Sequence, residues 1–333
     1  MPISSAHTTC PRGPEDFEGL TEVGDFNYCI HSRSRLSGSS ITFVPRLSEE
    51  YSVGFHLLDL TRGADTVRTQ LRELVSLFAV AECRVVDIGG DIVAFGNEPG
   101  LRSPISDGMI LAATENIGVP VQVGVAGFGL DGELTESEFK SAQHALEIRN
   151  AQVGANVIQQ DVASEFRETI KWFPSEATAL MCLSALGYRG IAEIRDSGLR
   201  VSMSESSPLV YWYEHDSVLR QNKIAEALSE TSSLAEAENS LAELGIASEI
   251  EYERKKLAGK GLQGEKAVEP PSHQELEGQL RRYSNAVKKE GVSFLTIRRV
   301  AELLNLSLAK LHPFISYLEK HAIDQLDLPL WRC

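Results

Sequence analysis

The stretch of the 333-residue chain best equipped for chemistry is 85–112, VVDIGGDIVAFGNEPGLRSPISDGMILA. Asp87 and Asp91 flank the pair Gly89 and Gly90 at the carboxyl end of a strand expected over 84–88. Ligands of open α/β sheets bind beyond such strand ends. Paired glycines there let backbone N–H groups approach a ligand and form a nest for an anion. The loop that follows, Asn97 to Pro104, carries one carboxylate, Glu98, and one guanidinium, Arg102. Arginine suits two-point capture of a carboxylate or phosphate. Ser106 is placed to cap a helix whose first turn adds free N–H groups and positive dipole. The expectation is an anion pocket in which Asp87, Asp91 and Glu98 hold Mg²⁺ or act as acid and base, while Gly89, Gly90, Arg102, Ser103 and Asp107 bind the ligand. A plainer account stays open. The glycines could make a tight turn with Asp91 as a turn residue, Asp107 could favour the helix dipole, and Arg102 could pair with Glu98 or Asp107. The glycine spacing matches neither G-x-G-x-x-G nor the Walker pattern.

Asp131 and Glu133 follow the next strand end and could face the same cleft, or form a solvated turn. Ser175 and Glu176 open a helix, as ligand contacts or as a simple cap. Arg195 and Asp196 end another strand, where a local ion pair is the default. The eight histidines form neither H-x-x-x-H nor H-E-x-x-H, and no G-x-S-x-G elbow occurs. His56 and the run Tyr211 to Tyr213 read as packed strand residues.

Positioning these groups requires a regular scaffold. Apolar runs at 53–60, 84–88 and 119–126 predict strands. Helical spacing predicts helices over 64–80, 106–118 and 135–148. The valine-rich 119–126 run, with little polar alternation, suits a strand covered on both faces. Strand and helix alternating at this spacing predict right-handed crossovers and a mostly parallel sheet flanked by helices. Further on, 190–195 and 208–213 read as strands, and 176–186, 216–228 and 233–244 as helices. Before residue 50 only weak strands at 27–31 and 40–44 are expected.

Hydrophobic residues make up 42% and charged residues 24% of the chain, which excludes a disordered or collagen-like polymer. With 32 Lys and Arg against 47 Asp and Glu, the formal charge is −15, which disfavours nucleic acid and anionic membranes as partners. The first 20 residues lack a secretory pattern, and no apolar run is long enough to span a bilayer, so a cytoplasmic location is expected. Five cysteines without a C-x-x-C pair read as reduced thiols. Glycines and a Pro-Pro pair mark 251–272 as a linker between an α/β domain over 1–250 and a small helical module over 273–333. That tail carries nine basic and seven acidic residues, net +2, and helices are expected at 274–289, 296–304 and 308–321. Its helix-turn-helix resembles a winged helix, with 326–331 as the wing and Arg298, Arg299 and Lys310 as phosphate contacts. Pro313 inside the would-be recognition helix and the weak charge argue against DNA binding, and favour a packing module or a surface for a protein partner or a second copy.

The segments Asp87-Ile-Gly-Gly-Asp91 and Gly96-Asn-Glu-Pro-Gly-Leu-Arg-Ser-Pro104 also resemble domain-of-unknown-function family 1152 of archaea and bacteria. So do Gly129-Leu-Asp-Gly-Glu133, Trp172-Phe-Pro-Ser-Glu-Ala177 and Glu193-Ile-Arg-Asp-Ser-Gly198, a resemblance covering about 15–245. It implies a Rossmann-like α/β domain and brings no established reaction. Family members open with a strand and a Gly-rich, Asp-containing loop, whereas this chain opens with MPISSAHTTCPRGPEDFEGL. Either that first strand is lost or the start lies downstream of the true one. Two functions follow as expectations. One is an enzyme acting on an anionic, phosphorylated or carboxylated metabolite. The other is a non-catalytic sensor whose tail is the output surface.

Overall fold

The structure, a computed structural model, describes residues 3–4, 11–38, 42–251, 254, 271–321 and 323–333. It is an α/β protein in which most expected elements are present. The central sheet places Cys83–Ile88, Val121–Ala126, Leu209–Glu214 and Gln152–Val157 side by side in that order. The first two run parallel, Cys83 opposite Val121 and Ile88 opposite Ala126. The Pro104–Ala113 helix makes the crossover between them. Leu209–Glu214 is antiparallel to both its neighbours, so the sheet is mixed rather than mostly parallel. The chain reaches this strand from the second sheet, whose Leu199–Met203 strand precedes it, rather than through a strand–helix–strand crossover within the central sheet.

One face of the sheet packs Val123, Val125 and Tyr213 against Phe139 and Leu146 of the Glu136–Ile148 helix and Val218 of the His215–Gln221 helix. A helical layer around Pro104–Ala113 buries Met109 and Ala113 against Val67, Leu71, Ile224, Leu228 and Leu241. The helix expected over 216–228 is two helices, His215–Gln221 and Lys223–Leu228. Asn222 breaks it, because its Oδ1 accepts the N–H groups of Ile224 and Ala225 and so caps the second piece. The helix expected over 106–118 starts at Pro104, one residue after Ser103, whose side chain makes no capping bond, and ends at Ala113. Proline at the first turn suits a helix start, and the Thr114 hydroxyl closes the end by donating to the Ile110 and Leu111 carbonyls. Of the strand expected at 40–44, Ser40 and Ile41 lie outside the described residues, and Val44 opens a helix, Val44–Tyr51, with Pro45 in its first turn.

A second sheet runs Leu199–Met203, Gly190–Ile194, Val292–Thr296, Leu330–Arg332, Leu326–Asp327. The tail therefore has its three expected helices, at His273–Lys288, Ile297–Leu303 and Leu308–Lys320, plus a strand that the sequence reading did not foresee. That strand lies parallel to Gly190–Ile194. Its Phe294 enters the core of Leu180, Ala192 and Val201, while Leu295 enters the core of Leu280, Phe314 and Trp331. Arg298 and Arg299 do not face outward. Arg298 donates to the Pro174 carbonyl, and Arg299 is buried against Glu193, Glu302 and Tyr283. Most of the expected linker, 252–253 and 255–270, lies outside the described residues. Cys29, Cys83, Cys182 and Cys333 are free thiols. Among the described residues no helix is long and apolar enough to cross a membrane.

Leu295→Ala is expected to destabilise the chain by about 2–5 kcal/mol, the usual loss for a fully buried leucine. Denaturant unfolding followed by tryptophan fluorescence measures it; a loss within error would show that the 292–296 strand contributes nothing to the joint.

Candidate functional site

The ends of the two parallel strands are tied together by their backbones. Gly89 N–H donates to the Ala126 carbonyl at 3.0 Å, and Gly129 N–H donates to the Gly89 carbonyl at 2.8 Å. The next turn, Asp91–Val93, is held from the opposite side. Gln221 Nε2 donates to the Val93 carbonyl at 2.7 Å and Asn222 Nδ2 to the Ile92 carbonyl at 3.1 Å. This fixes Asp91, which is buried at 7% exposure, below the strand ends.

Around Asp91 the fold gathers four more carboxyl groups. Asp87, Asp107 and Glu133 each reach the Asp91 side chain within hydrogen-bonding range, and Asp131 adds its charge nearby. Single oxygens of Asp91, Asp131 and Glu133 all lie within 4.8 Å of one another, close enough to share one cation. Two glycines make the crowding feasible. A Cβ on Gly89, whose φ is +137°, would stand 1.7 Å from Asp131 Oδ2, and one on Gly100 would stand 2.0 Å from the Glu133 carbonyl oxygen. A side chain at either place would push the 131–133 turn off the strand end.

Burial governs the protonation of the cluster. Desolvation raises the carboxyls of Asp87, Asp91, Asp107, Asp131 and Glu133, and their mutual repulsion adds to it. Asp91 and Asp107 rise well above the usual carboxylate range, and Asp131 is pushed up to about 8. The opposing interactions are local: Asp87 Oδ2 accepts the Gly90 N–H at 2.8 Å, and Glu133 Oε2 accepts the Arg102 N–H at 2.7 Å with the guanidinium charge near. Asp91 sits where its neighbours keep their charge best if it carries the proton and donates it.

Other expected residues are placed differently. Glu98 does not face the cluster. Its carboxylate accepts three N–H groups of its own loop, from Phe95, Gly96 and Asn97, at 2.8–2.9 Å. The anion nest at Gly89 and Gly90 is not formed, because both N–H groups already have acceptors within the protein. The helix N-terminus is taken as well: Glu249 accepts from Ile105 N–H and Ser106 N–H at 3.1 and 2.9 Å, and from the Ser106 hydroxyl. Ser103 Oγ donates to Asp107 at 2.7 Å. Arg102 pairs with neither Glu98 nor Asp107 but with Asp196. Ser175 caps its helix by accepting the Thr178 N–H, and Glu176 accepts the Arg195 N–H and the Thr296 hydroxyl, away from the cluster. Asp196 is 3.7 Å from Arg195, whose guanidinium lies nearer Glu176 at 3.4 Å. The sequence reading missed Glu249, which lies 144 residues from the N–H groups it caps and has no local signal.

The chemistry open to this arrangement is that of hard oxygen ligands. Carboxylates without nitrogen or sulfur donors suit Mg²⁺, Ca²⁺ or Mn²⁺. A carboxyl near 8 is also poised to exchange protons at neutral pH.

A family model described as "Protein of unknown function (DUF1152)" matches residues 8–257, more than half of the chain, and the chain belongs to that family. No curated protein and no solved structure matches it.

Raised carboxyls bind their protons in the folded chain at pH values where the unfolded chain has released them. Stability of the metal-free protein is therefore expected to fall as pH rises above the ordinary aspartate value of 3.8, including the range up to about 8 in which Asp131 gives up its proton. Asp91→Asn removes the central charge and is expected to flatten this slope and raise stability at pH 8. Urea midpoints across the range measure both; a steeper slope in the variant would refute the assignment. Gly89→Ala is expected to cost about 2–3 kcal/mol, from the left-sided φ and the displaced Asp131 carboxylate.

Proposed function

We propose that this chain is a divalent-cation-dependent enzyme acting on an anionic small metabolite, phosphorylated or carboxylated, at the cluster around Asp91. The observation that carries the reading is the gathering of five carboxyl groups, Asp91 buried and the other four half-buried, beyond the ends of two parallel strands, with Arg102 as the cation beside them. Carboxylates cannot stay ionised together in a dry site without protons or cations. Asp91, Asp131 and Glu133, with Asp87 and Asp107 behind them, would hold Mg²⁺. The cation would supply the positive charge that draws the metabolite's oxygens into an otherwise repulsive site. Arg102 offers donors beyond the one that reaches Asp196, and its side chain is 37% exposed. Those donors would grip the anion's far side. Asp131, which holds its proton to about pH 8 without the cation, would release it on cation binding.

The parallel strand pair with its helical crossover supports a Rossmann-like reading of the first unit, and the ligand position beyond the strand ends agrees with it. In the tail, helix, strand, helix, helix and hairpin follow in the order of a winged helix. With Arg298 and Arg299 turned inward, the tail fits packing or a protein partner better than phosphate contact. A cytoplasmic location agrees with the free thiols. A second reading, a non-catalytic sensor, draws on Glu249 filling the helix N-terminus and on Asp196 holding Arg102, both of which reduce the donors open to a ligand.

Calorimetric titration with Mg²⁺ and Mn²⁺ tests the cation site, and a thermal-shift panel of phosphorylated and carboxylated metabolites with either ion tests the ligand. A cation at a hundredfold excess over its Kd is expected to add about 2.7 kcal/mol of stability. Asp91→Asn and Asp131→Asn are expected to abolish cation binding, and Arg102→Ala to keep it while losing the metabolite shift. A wild-type chain indifferent to both ions overturns the proposal. Turnover of a bound metabolite separates enzyme from sensor.

A further inference from the structure

We propose that Asp196 is a positioning residue: its carboxylate holds the Arg102 guanidinium at the edge of the acidic cluster, and Glu302 of the tail holds Asp196 there. The proposal rests on the reading of Arg102 as the anion's ligand. Asp196 and Ser197 are consecutive non-glycine residues with left-handed backbones, φ 68° and 64°. Such geometry persists only where the surroundings over-determine it. Here they do. Glu302 Oε1 accepts the Ser197 N–H at 3.0 Å and also draws the Asp196 N–H. Glu302 Oε2 is in turn held by Arg299 Nη1 at 2.7 Å. Arg299 Nη2 donates to the Tyr283 hydroxyl at 2.7 Å, and that hydroxyl donates to Glu193 at 2.8 Å. A Cβ on Gly198 would stand 2.8 Å from Arg299 Nη2, so the turn is pressed onto this clamp.

The clamp has a use at its other end. Arg195, the local partner, lies nearer Glu176 at 3.4 Å than Asp196 at 3.7 Å, and the hydrogen bond of the Asp196 carboxylate goes to Arg102. Arg102 is then fixed twice, through its backbone N–H to Glu133 and through its guanidinium to Asp196. One contact from a five-donor fork leaves donors for an anion. Glu302, Arg299 and Tyr283 lie beyond residue 257, where the family match ends. Support for the site's cation thus comes from outside the matched region.

The test uses the full chain as wild type, Asp196→Ala, Glu302→Gln and Arg102→Ala, each checked by its melting temperature. If Asp196→Ala fails to fold, Asp196→Asn, which keeps the size, replaces it. Phenylglyoxal labelling of Arg102, read by peptide mass, is expected to speed up several-fold in the Asp196 and Glu302 variants. Calorimetry with Mg²⁺ alone is expected to be unchanged in all variants. With pyrophosphate added at saturating Mg²⁺, affinity is expected to fall about tenfold in the Asp196 variant and about threefold in the Glu302 variant. A merely structural role would lower melting temperatures and leave labelling and affinity at wild-type values, which overturns the proposal. Unchanged labelling in Glu302→Gln alone overturns the tail's part in it. Loss of Mg²⁺ binding in the wild type counts against the proposed function instead, and the labelling rates then decide the positioning on their own.

Discussion

Carboxyl groups repel one another more strongly as water leaves, and this fold gathers four half-buried ones around a buried fifth, Asp91. Much of the local architecture answers that one constraint. Backbone bonds join the two strand ends, Gln221 and Asn222 grip the Asp91 turn from a separate helix pair, and two glycines clear the space for Asp131 and Glu133. The repulsion is only partly relieved from within. Asp87 and Glu133 receive backbone N–H groups, and one guanidinium lies near. What remains sets a demand for protons or an added cation.

The same charge logic explains the parts of the expected pocket that did not form. An anion nest needs N–H groups with no other acceptor, but beside so many carboxyls every such group found one. Gly90 serves Asp87, the Phe95–Asn97 loop serves Glu98, and the helix start serves Glu249. An acidic chain supplies its own anions to its own donor sites. In the proposed function the anion-recognising role therefore narrows to Arg102 and to the cation that the cluster would hold.

The local pattern carried a good part of this in advance. The valine run at 119–126, the helical spacing at 64–80 and the capping box at Thr135 and Glu138 each have a cause within a few residues, and each element formed, with the 64–80 helix ending at Leu77. Asp87, Asp91, Asp131 and Glu133 were legible because strand ends and glycines announce them. The Gln152–Val157 strand was not, since QVGANV has neither alternation nor a solid apolar run. The antiparallel sense of Leu209–Glu214 shows only in its partners, Val121–Ala126 and Gln152–Val157, and not in its own residues. Glu249 and the Asp196 to Arg102 pair bridge 144 and 94 positions, distances at which a single sequence has no periodicity to read.

The way Val292–Thr296 is inserted has an outcome for the integrity of the molecule. It hydrogen-bonds on one side to Gly190–Ile194 and on the other to Leu330–Arg332, and its alternate side chains fill two different cores. The tail is thus joined to the rest of the molecule by a shared sheet and two shared cores as well as by the polypeptide. Residues 1–254 and 271–333 produced as two separate chains would therefore migrate together under native conditions and part only when denatured.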